Sequence, residues 1–271
     1  MENIENIEEL ELKFEDLEVK ESIKRAIADC GYIEMTPIQK AALPVVLEGR
    51  DIIAQAPTGT GKTCSFAIPG INIVDVNSPD VQVLVLCPTR ELAMQVSGEF
   101  QKLSKFTSGL RVCTVYGGQE IEKQIVSLKR KPQIICGTPG RIMDHLRRKT
   151  IKIKNIKMLI LDEADEMLNM GFREDLDVIL KEVQSPHQTL LFSATIAKLD
   201  KTSMFAIIFA DNCNLAIFCA ITSLIFVNSL YSNTTTFSSA PNILLSISFN
   251  SSVTNLSAFV NVCFLIYLSG T

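Results

Sequence analysis

Lys62 and Thr63 close the run Ala56-Pro57-Thr58-Gly59-Thr60-Gly61-Lys62-Thr63, which follows an apolar stretch and leads into a helix-like one. These residue types at this spacing can hold a chain of phosphates. Gly59 and Gly61, with Thr58 and Thr60 between and before them, let successive backbone N–H groups curl around anionic oxygens at a helix N-terminus, whose dipole favours negative charge. An amine at Lys62 reaches the outer phosphates, and the hydroxyl of Thr63 is a ligand for Mg2+. The general form of the loop has glycine where this chain has Ala56. A second set, Asp162-Glu163-Ala164-Asp165, stands at the tip of the apolar run Met158-Leu159-Ile160-Leu161. A buried strand that delivers carboxylates at its end is how phosphate-loop enzymes hold Mg2+ opposite the loop. Asp162 is expected to bind the ion through water, and Glu163 to orient or deprotonate an attacking water. An acidic turn by itself reads as a solvated loop; pairing with the phosphate loop is what gives it chemistry. Together the two sets imply a Mg2+-dependent nucleoside triphosphatase, with Lys62, Asp162 and Glu163 as its catalytic groups.

Such groups need rigid elements to hold them. Short apolar runs at 51–56, 81–87, 111–116, 133–136, 158–161 and 189–192 are rich in Val, Ile and Leu without polar alternation, the pattern of strands buried on both faces. Amphipathic stretches at 36–47, 62–74, 91–106, 120–129 and 174–183 separate them and read as helices. Alternation of this kind predicts an α/β fold, a parallel sheet with helices on both faces. Ligands of such sheets bind at the loops that leave the C-terminal strand ends, which is where both sets of chemical residues stand.

Further segments share those loop positions: Gly31-Tyr32 leading to Thr36-Pro37-Ile38-Gln39, with Phe14 upstream; Pro88-Thr89-Arg90-Glu91-Leu92-Ala93; Gly117-Gly118; Thr138-Pro139-Gly140-Arg141; and Ser193-Ala194-Thr195. The amide of Gln39 can pair donor and acceptor with the edge of adenine, and the ring of Phe14 can stack on a base. Arg90, Thr138 and Arg141 can donate to phosphate oxygens, with Gly117 and Gly140 permitting close backbone approach. In order and spacing these segments resemble the DEAD-box RNA helicases across Phe14–Thr195, and the tetrad at 162–165 spells the family's name. The resemblance implies a RecA-like fold that uses ATP and Mg2+, with Phe14, Thr36 and Gln39 around the adenine. It implies that Pro88, Thr89, Arg90, Gly117, Gly118, Thr138, Gly140 and Arg141 grip RNA by its backbone, with little sequence preference. It assigns Asp165, Ser193, Ala194 and Thr195 to coupling hydrolysis to strand separation. The wording around the motifs is most similar to the bacterial cold-shock and RNA-decay members, with initiation-factor-like members second. Met35 departs from the family's usual proline and changes loop stiffness more than chemistry.

Composition divides the chain. Net charge is −4, so no global basic field marks a nucleic-acid binder, and any such contact must be local. The eight cysteines have no Cys-x-x-Cys spacing and read as small buried hydrophobes. His145 and His187 fit no metal or triad pattern, and Arg147-Arg148-Lys149 reads as a solvated helix end. Residues 1–13 form an acidic extension without a signal-peptide pattern, and the expected location is the cytoplasm. Residues 14–197 form the expected RecA-like domain. Residues 198–271 are an atypical tail of uncertain fold whose only charged side chains are Lys198, Asp200, Lys201 and Asp211. Three readings of the tail stand: a membrane segment at 213–231, an accessory domain, or translated sequence not selected to fold, which the composition favours over a membrane role. The family's second RecA-like domain carries arginine fingers in a His-Arg-x-Gly-Arg-x-x-Arg segment, and no such segment occurs in these 271 residues. The expectation is therefore an RNA helicase lineage truncated to its first domain. The alternatives are a non-catalytic ATP- or RNA-binding competitor and a membrane-tethered fragment.

Overall fold

Valine, isoleucine and leucine dominate the six apolar runs, and each run becomes a strand of one sheet. The computed structural model describes residues 12–184 and 186–195, together with the backbone of Phe264–Ile266. The strands are β1 (Ile52–Gln55), β2 (Val83–Leu86), β3 (Val112–Val115), β4 (Ile134–Gly137), β5 (Met158–Leu161), β6 (Gln188–Ser193) and β7 (Phe264–Ile266). All pairings are parallel, in the order β3-β4-β2-β5-β6-β1-β7. Residues of β2, β4, β5 and β6 are buried throughout, which is why these strands lack polar alternation. β3 at the sheet edge alternates between partly exposed and buried positions.

The order divides the motifs into two neighbouring groups. β1, β6 and β5 deliver the phosphate loop, Ser193-Ala194-Thr195 and Asp162–Asp165, respectively. β2, β4 and β3 deliver Pro88–Ala93, Thr138–Arg141 and Gly117-Gly118. Because every pairing is parallel, all six loops leave the same edge of the sheet, and the seam between the groups is the β2–β5 pairing.

Eight α-helices and a 3-10 turn at Phe14–Asp16 complete the described residues: α1 (Glu21–Asp29), α2 (Pro37–Leu47), α3 (Lys62–Ile73), α4 (Arg90–Leu103), α5 (Ile121–Leu128), α6 (Pro139–Arg147), α7 (Ala164–Asn169) and α8 (Arg173–Glu182). α3 is buried nearly all round, packing against α2 and α4, and its Phe66 meets Phe100 and Phe192 with ring centroids 6.2 and 5.2 Å apart. Thr89 caps α4, its hydroxyl accepting from Leu92 N–H at 3.2 Å, with Glu91 in the first turn and Lys102 in the last. The expected helix 91–106 therefore stops short, at Leu103. α1, α6 and α7 lie outside the helices expected from sequence, although Thr138-Pro139 is an N-cap followed by proline at the first helical position, a legible start signal for α6. Cys64, Cys87, Cys113 and Cys136 are buried free thiols, filling space as small apolar side chains. Among the described residues no helix is long and apolar enough to cross a membrane, and the segment 213–231 lies outside them.

Gly137 shows how tightly β3 and β4 meet. A Cβ there would stand 2.5 Å from Val115 O and 2.7 Å from Val115 Cγ2, and a backbone carbonyl on the neighbouring strand has little room to retreat. Gly137→Ala is expected to cost about 1–3 kcal/mol as an overpacked site, read as a lower midpoint in urea denaturation with an unchanged slope.

Candidate functional site

The phosphate loop turns on Gly59 and Gly61, with φ of 84° and 85°, before α3 begins at Lys62. Gly61 has no room for a side chain, since a Cβ would lie 2.7 Å from Gln39 Nε2. Gln39 binds the loop directly. Its Nε2 donates to Gly61 O at 3.0 Å, while its Oε1 accepts from Thr36 N–H at 2.9 Å and closes the N-terminus of α2. The residue is 5% exposed, and one amide hydrogen and one lone pair remain for a ligand. Phe14 is buried with its ring stacked on Tyr32 at 6.0 Å, so one of its faces is already covered. Thr60 Oγ1 donates back to Pro57 O at 2.8 Å and stiffens the loop, and Thr63 is partly exposed in the first turn of α3.

Lys62 is the centre of the cluster. Its Nζ lies 3.0 Å from Asp162 Oδ1 and 3.2 Å from Glu163 Oε1, and Thr58 Oγ1 donates to the same Glu163 oxygen at 3.1 Å. Lys62 is 3% exposed and Asp162 fully buried. Glu163 occupies the left-handed region, φ 55°, at the cap of α7, a conformation that a non-glycine residue holds only where its surroundings impose it. The contact of Lys62 with Asp162 is a close ion pair, and among the described residues no donor is well aligned on either oxygen of Asp162. Burial raises the affinity of Asp162 for a proton, against the opposing pull of Lys62. A buried carboxylate with unused oxygen lone pairs beside a phosphate loop fits a hard divalent cation, so Mg2+ suits Asp162 with Thr63 across from it.

Asp165 and the 193–195 segment meet next door. Asp165 Oδ2 accepts from Thr195 N–H at 2.9 Å and from Thr195 Oγ1 at 2.7 Å, and Ser193 Oγ donates to Thr195 O at 2.9 Å. Burial opposes the charge of Asp165, but these hydrogen bonds outweigh it and hold the carboxyl below its usual range. Ala56 N–H donates to Ser193 O at 2.9 Å and Gln55 Nε2 to Ala194 O at 3.1 Å, tying this segment to the start of the phosphate loop.

On the other side of the seam, the three remaining segments are joined by residues the sequence did not mark. The guanidinium of Arg90 lies 5.0 Å from the ring centroid of Tyr116, and Gly118, at φ 81°, faces Arg90. Arg141 donates from Nη1 to Gln119 O at 2.9 Å. Beneath them, Gln124 Nε2 donates to Tyr116 O and to Gln119 Oε1, both at 2.9 Å, and Gln124 Oε1 lies 3.0 Å from His145 Nε2. Because Gln124 spends both amide hydrogens, its oxygen must accept, so His145 carries its proton on Nε2 and turns Nδ1 to Thr150 Oγ1 at 2.8 Å. Burial lowers the His145 pKa to about 4, helped by Arg141 and Arg148 and opposed by Asp144, so the ring is neutral at pH 7. Pro88 is buried behind Thr89; Gly117 is exposed, and Thr138 and Gly140 are partly exposed on the same rim. Arg147, Arg148 and Lys149 form the exposed end of α6. Only their apolar-helix spacing marked Gln124 and His145 in the sequence, and that signal reports burial rather than contact.

The comparisons with known proteins agree with this geometry. A family model described as DEAD/DEAH box helicase matches residues 36–202. Over 185 residues the chain is 53% identical to the ATP-dependent RNA helicase CshA of Limosilactobacillus reuteri, covering 68% of this chain and 37% of that one. The namesake protein of Listeria monocytogenes is 53% identical over 184 residues, covering 68% and 35%, and that of Bacillus subtilis 48% over 185 residues, covering 68% and 37%. All three are bacterial, in line with the wording expected of the motifs. The chain spans about a third of the length of these curated relatives. A crystal structure of a DEAD box protein from the hyperthermophile Methanococcus jannaschii superposes with a TM-score of 0.64 at 45% identity, covering 68% of this chain and 50% of that one. The sheet and helices are thus those of the RecA-like fold.

Two outcomes follow from the buried charges. Lys62→Ala strands Asp162 without its cation and is expected to cost about 3 kcal/mol at pH 7, with part of the loss recovered by adding Asp162→Asn; urea denaturation of the four proteins of this cycle measures it. For His145, folded and unfolded chains are both neutral above the ordinary pKa of 6.5. Below that, only the unfolded chain takes the proton until pH about 4, so stability falls as pH falls through this window. Between pH 7 and pH 4.5 the native protein should lose on the order of 1–3 kcal/mol more than His145→Gln, by the same denaturation assay.

Proposed function

The chain belongs to the DEAD/DEAH box helicase family, and on that premise we propose that the described residues form the ATP- and Mg2+-binding, RNA-gripping unit of an ATP-dependent RNA helicase. The observation that carries this reading is the meeting of the phosphate loop and the 162–165 carboxylates around one buried ammonium, Lys62.

The residues divide the work by position. Backbone N–H groups of Gly59 to Thr63 at the start of α3 receive the phosphates, and Lys62 exchanges its two carboxylate contacts for phosphate oxygens. That exchange frees Glu163, which Lys62 and Thr58 hold by one carboxylate oxygen, to orient or accept a proton from the attacking water. Thr63 and Asp162 would hold Mg2+, which would supply positive charge against the phosphates. The free amide hydrogen and lone pair of Gln39 select adenine over guanine, and because Gln39 also holds Gly61, adenine recognition and loop shape are linked. Asp165 binds Thr195 through two hydrogen bonds, so a shift of the 162–165 turn is transmitted to Ser193-Ala194-Thr195 and from there to the strand that flanks β1. Arg90, Thr138 and Arg141, on the neighbouring loops, donate to the RNA backbone, with Thr89, Gly117, Gly118 and Gly140 shaping the rim.

A helicase of this family completes its site with arginine fingers from a second domain, worth about 10³–10⁵ in rate in related phosphoryl transfers. Residues 1–271 contain no His-Arg-x-Gly-Arg-x-x-Arg segment, so a polypeptide of these residues assayed by itself is expected to turn over slowly and not to separate strands. The setting is cytoplasmic in this reading. Purified 1–271 should bind the fluorescent analogue mant-ATP in a Mg2+-dependent way, at least tenfold more tightly than mant-GTP and at least tenfold more tightly than Lys62→Ala does. Equal affinity for the two nucleotides sinks the assignment of Gln39, and a Lys62→Ala variant that binds as well as the parent sinks the nucleotide site. RNA-stimulated phosphate release above the Lys62→Ala background separates an enzyme from a non-catalytic competitor.

A further inference from the structure

Gln124 and His145 lie outside every segment assigned a role above, yet both are buried polar side chains, 2% and 0% exposed, and every polar atom of each has a partner. Buried polar networks of this kind are costly unless fully satisfied, and when satisfied they impose one geometry on what they touch. What Gln124 touches is the loop after β3. Its amide nitrogen holds that loop on either side of Gly117-Gly118, by the carbonyl of Tyr116 and the side chain of Gln119. Arg141 then takes the carbonyl of Gln119, and the Tyr116 ring receives the guanidinium of Arg90.

We propose that Gln124 and His145 form a positioning pair that sets the shape of the Gly117-Gly118 loop and aligns Arg90 and Arg141 for an RNA backbone. The proposal rests on the RNA reading given above. Gly117 and Gly118 are exposed and Gly118 is in the left-handed region, so the loop's own backbone does not select a single conformation. Its anchors must therefore come from beneath, and His145 completes them. Its Nε2–H occupies the oxygen of Gln124 and so turns the amide hydrogens toward the loop; rotating the amide would set its oxygen against both the carbonyl of Tyr116 and Gln119 Oε1. Thr150, three residues past the end of α6, holds the ring at Nδ1 and its own Oγ1 lies 3.1 Å from His145 O. The geometry of the loop after β3 is thus decided from α5 and α6, and the same α6 starts at Thr138 on the rim. Neither residue touches RNA in this scheme. They act through Tyr116, Gln119 and Arg141.

The full chain 1–271 tests this with two readouts. In Gln124→Met, which keeps the length of the side chain and removes its hydrogen bonds, amide hydrogen exchange of the peptide 116–121 should rise about tenfold. Affinity for a fluorescein-labelled single-stranded oligouridine should fall about tenfold, while mant-ATP affinity stays within about twofold. His145→Ala should reproduce that split, the double variant should be no worse than either single one, and His145→Gln, whose amide can still donate to Gln124, should restore most of the RNA affinity. Should Gln124→Met prove too unstable to assay, Thr150→Val releases the ring from its other nitrogen and must give the same split in smaller degree. Unchanged exchange at 116–121, a parallel loss of RNA and mant-ATP, or full additivity of the two variants overturns the proposal. A parent protein that does not bind the oligouridine overturns the RNA reading instead, and the exchange result still decides whether the pair positions the loop.

Discussion

The ammonium of Lys62, buried between Asp162 and Glu163, is the interaction on which the rest of this structure depends. It joins residues a hundred positions apart, and it is possible only because β1 and β5 run parallel with β6 between them. A buried pair of this kind adds little net stability, since desolvation consumes most of the Coulombic gain. Its value is that it is replaceable. Asp162 keeps oxygen lone pairs beyond those that face Lys62, and Glu163 is held in a conformation its backbone would not choose. The site is therefore already charged and shaped for phosphate and a divalent cation, and the protein's own lysine stands where part of that charge would go.

Sheet order extends this local chemistry into a division of labour. Reading across the strands, the nucleotide-side loops occupy one half and the proposed RNA-side loops the other, with β2 and β5 hydrogen-bonded at the seam. Helix α7, which begins in the 162–165 turn, contacts β6, and Asp165 and Thr195 are bonded side chain to side chain and side chain to backbone. A change at the phosphate end therefore has a short path of strong contacts to the loop after β6. On the other half, Arg90, Tyr116, Gln119, Arg141 and the pair beneath them form a continuous network.

The fold was largely legible because its strands are buried on both faces. A strand in that setting has no reason to carry polar residues, so each appears as an unbroken apolar run, and all six expected runs became strands. The helices were less legible for an equally physical reason. α6 and α7 are short, begin within the chemical motifs, and take their first turns from residues such as Pro139-Gly140 and Asp165-Glu166 that read as loop chemistry. Gln39 illustrates a different limit. Its amide was expected to face a base, and the structure gives it a second task, since it also closes α2 and holds the carbonyl of Gly61. A side chain with four hydrogen-bonding sites can serve two partners, and sequence shows only that it has the capacity.

Residue type and spacing by themselves determined the chemistry: glycines that permit a phosphate loop, an amine and a hydroxyl at its end, and carboxylates at the tip of a buried strand. They determined the parallel α/β class as well, because burial on both faces leaves its mark in composition. Tertiary structure alone decided which loops are neighbours, since strand order is not encoded in the order of the chain. It also decided that Lys62 spans both carboxylates, that Phe14 spends one face on Tyr32, and that Gln124 and His145, which carry no motif, hold the loop between Arg90 and Arg141. The physical reason is common to all of these. Hydrogen bonds and ion pairs between distant segments depend on angstrom-scale placement, and that placement exists only once the sheet has brought the segments to a single edge.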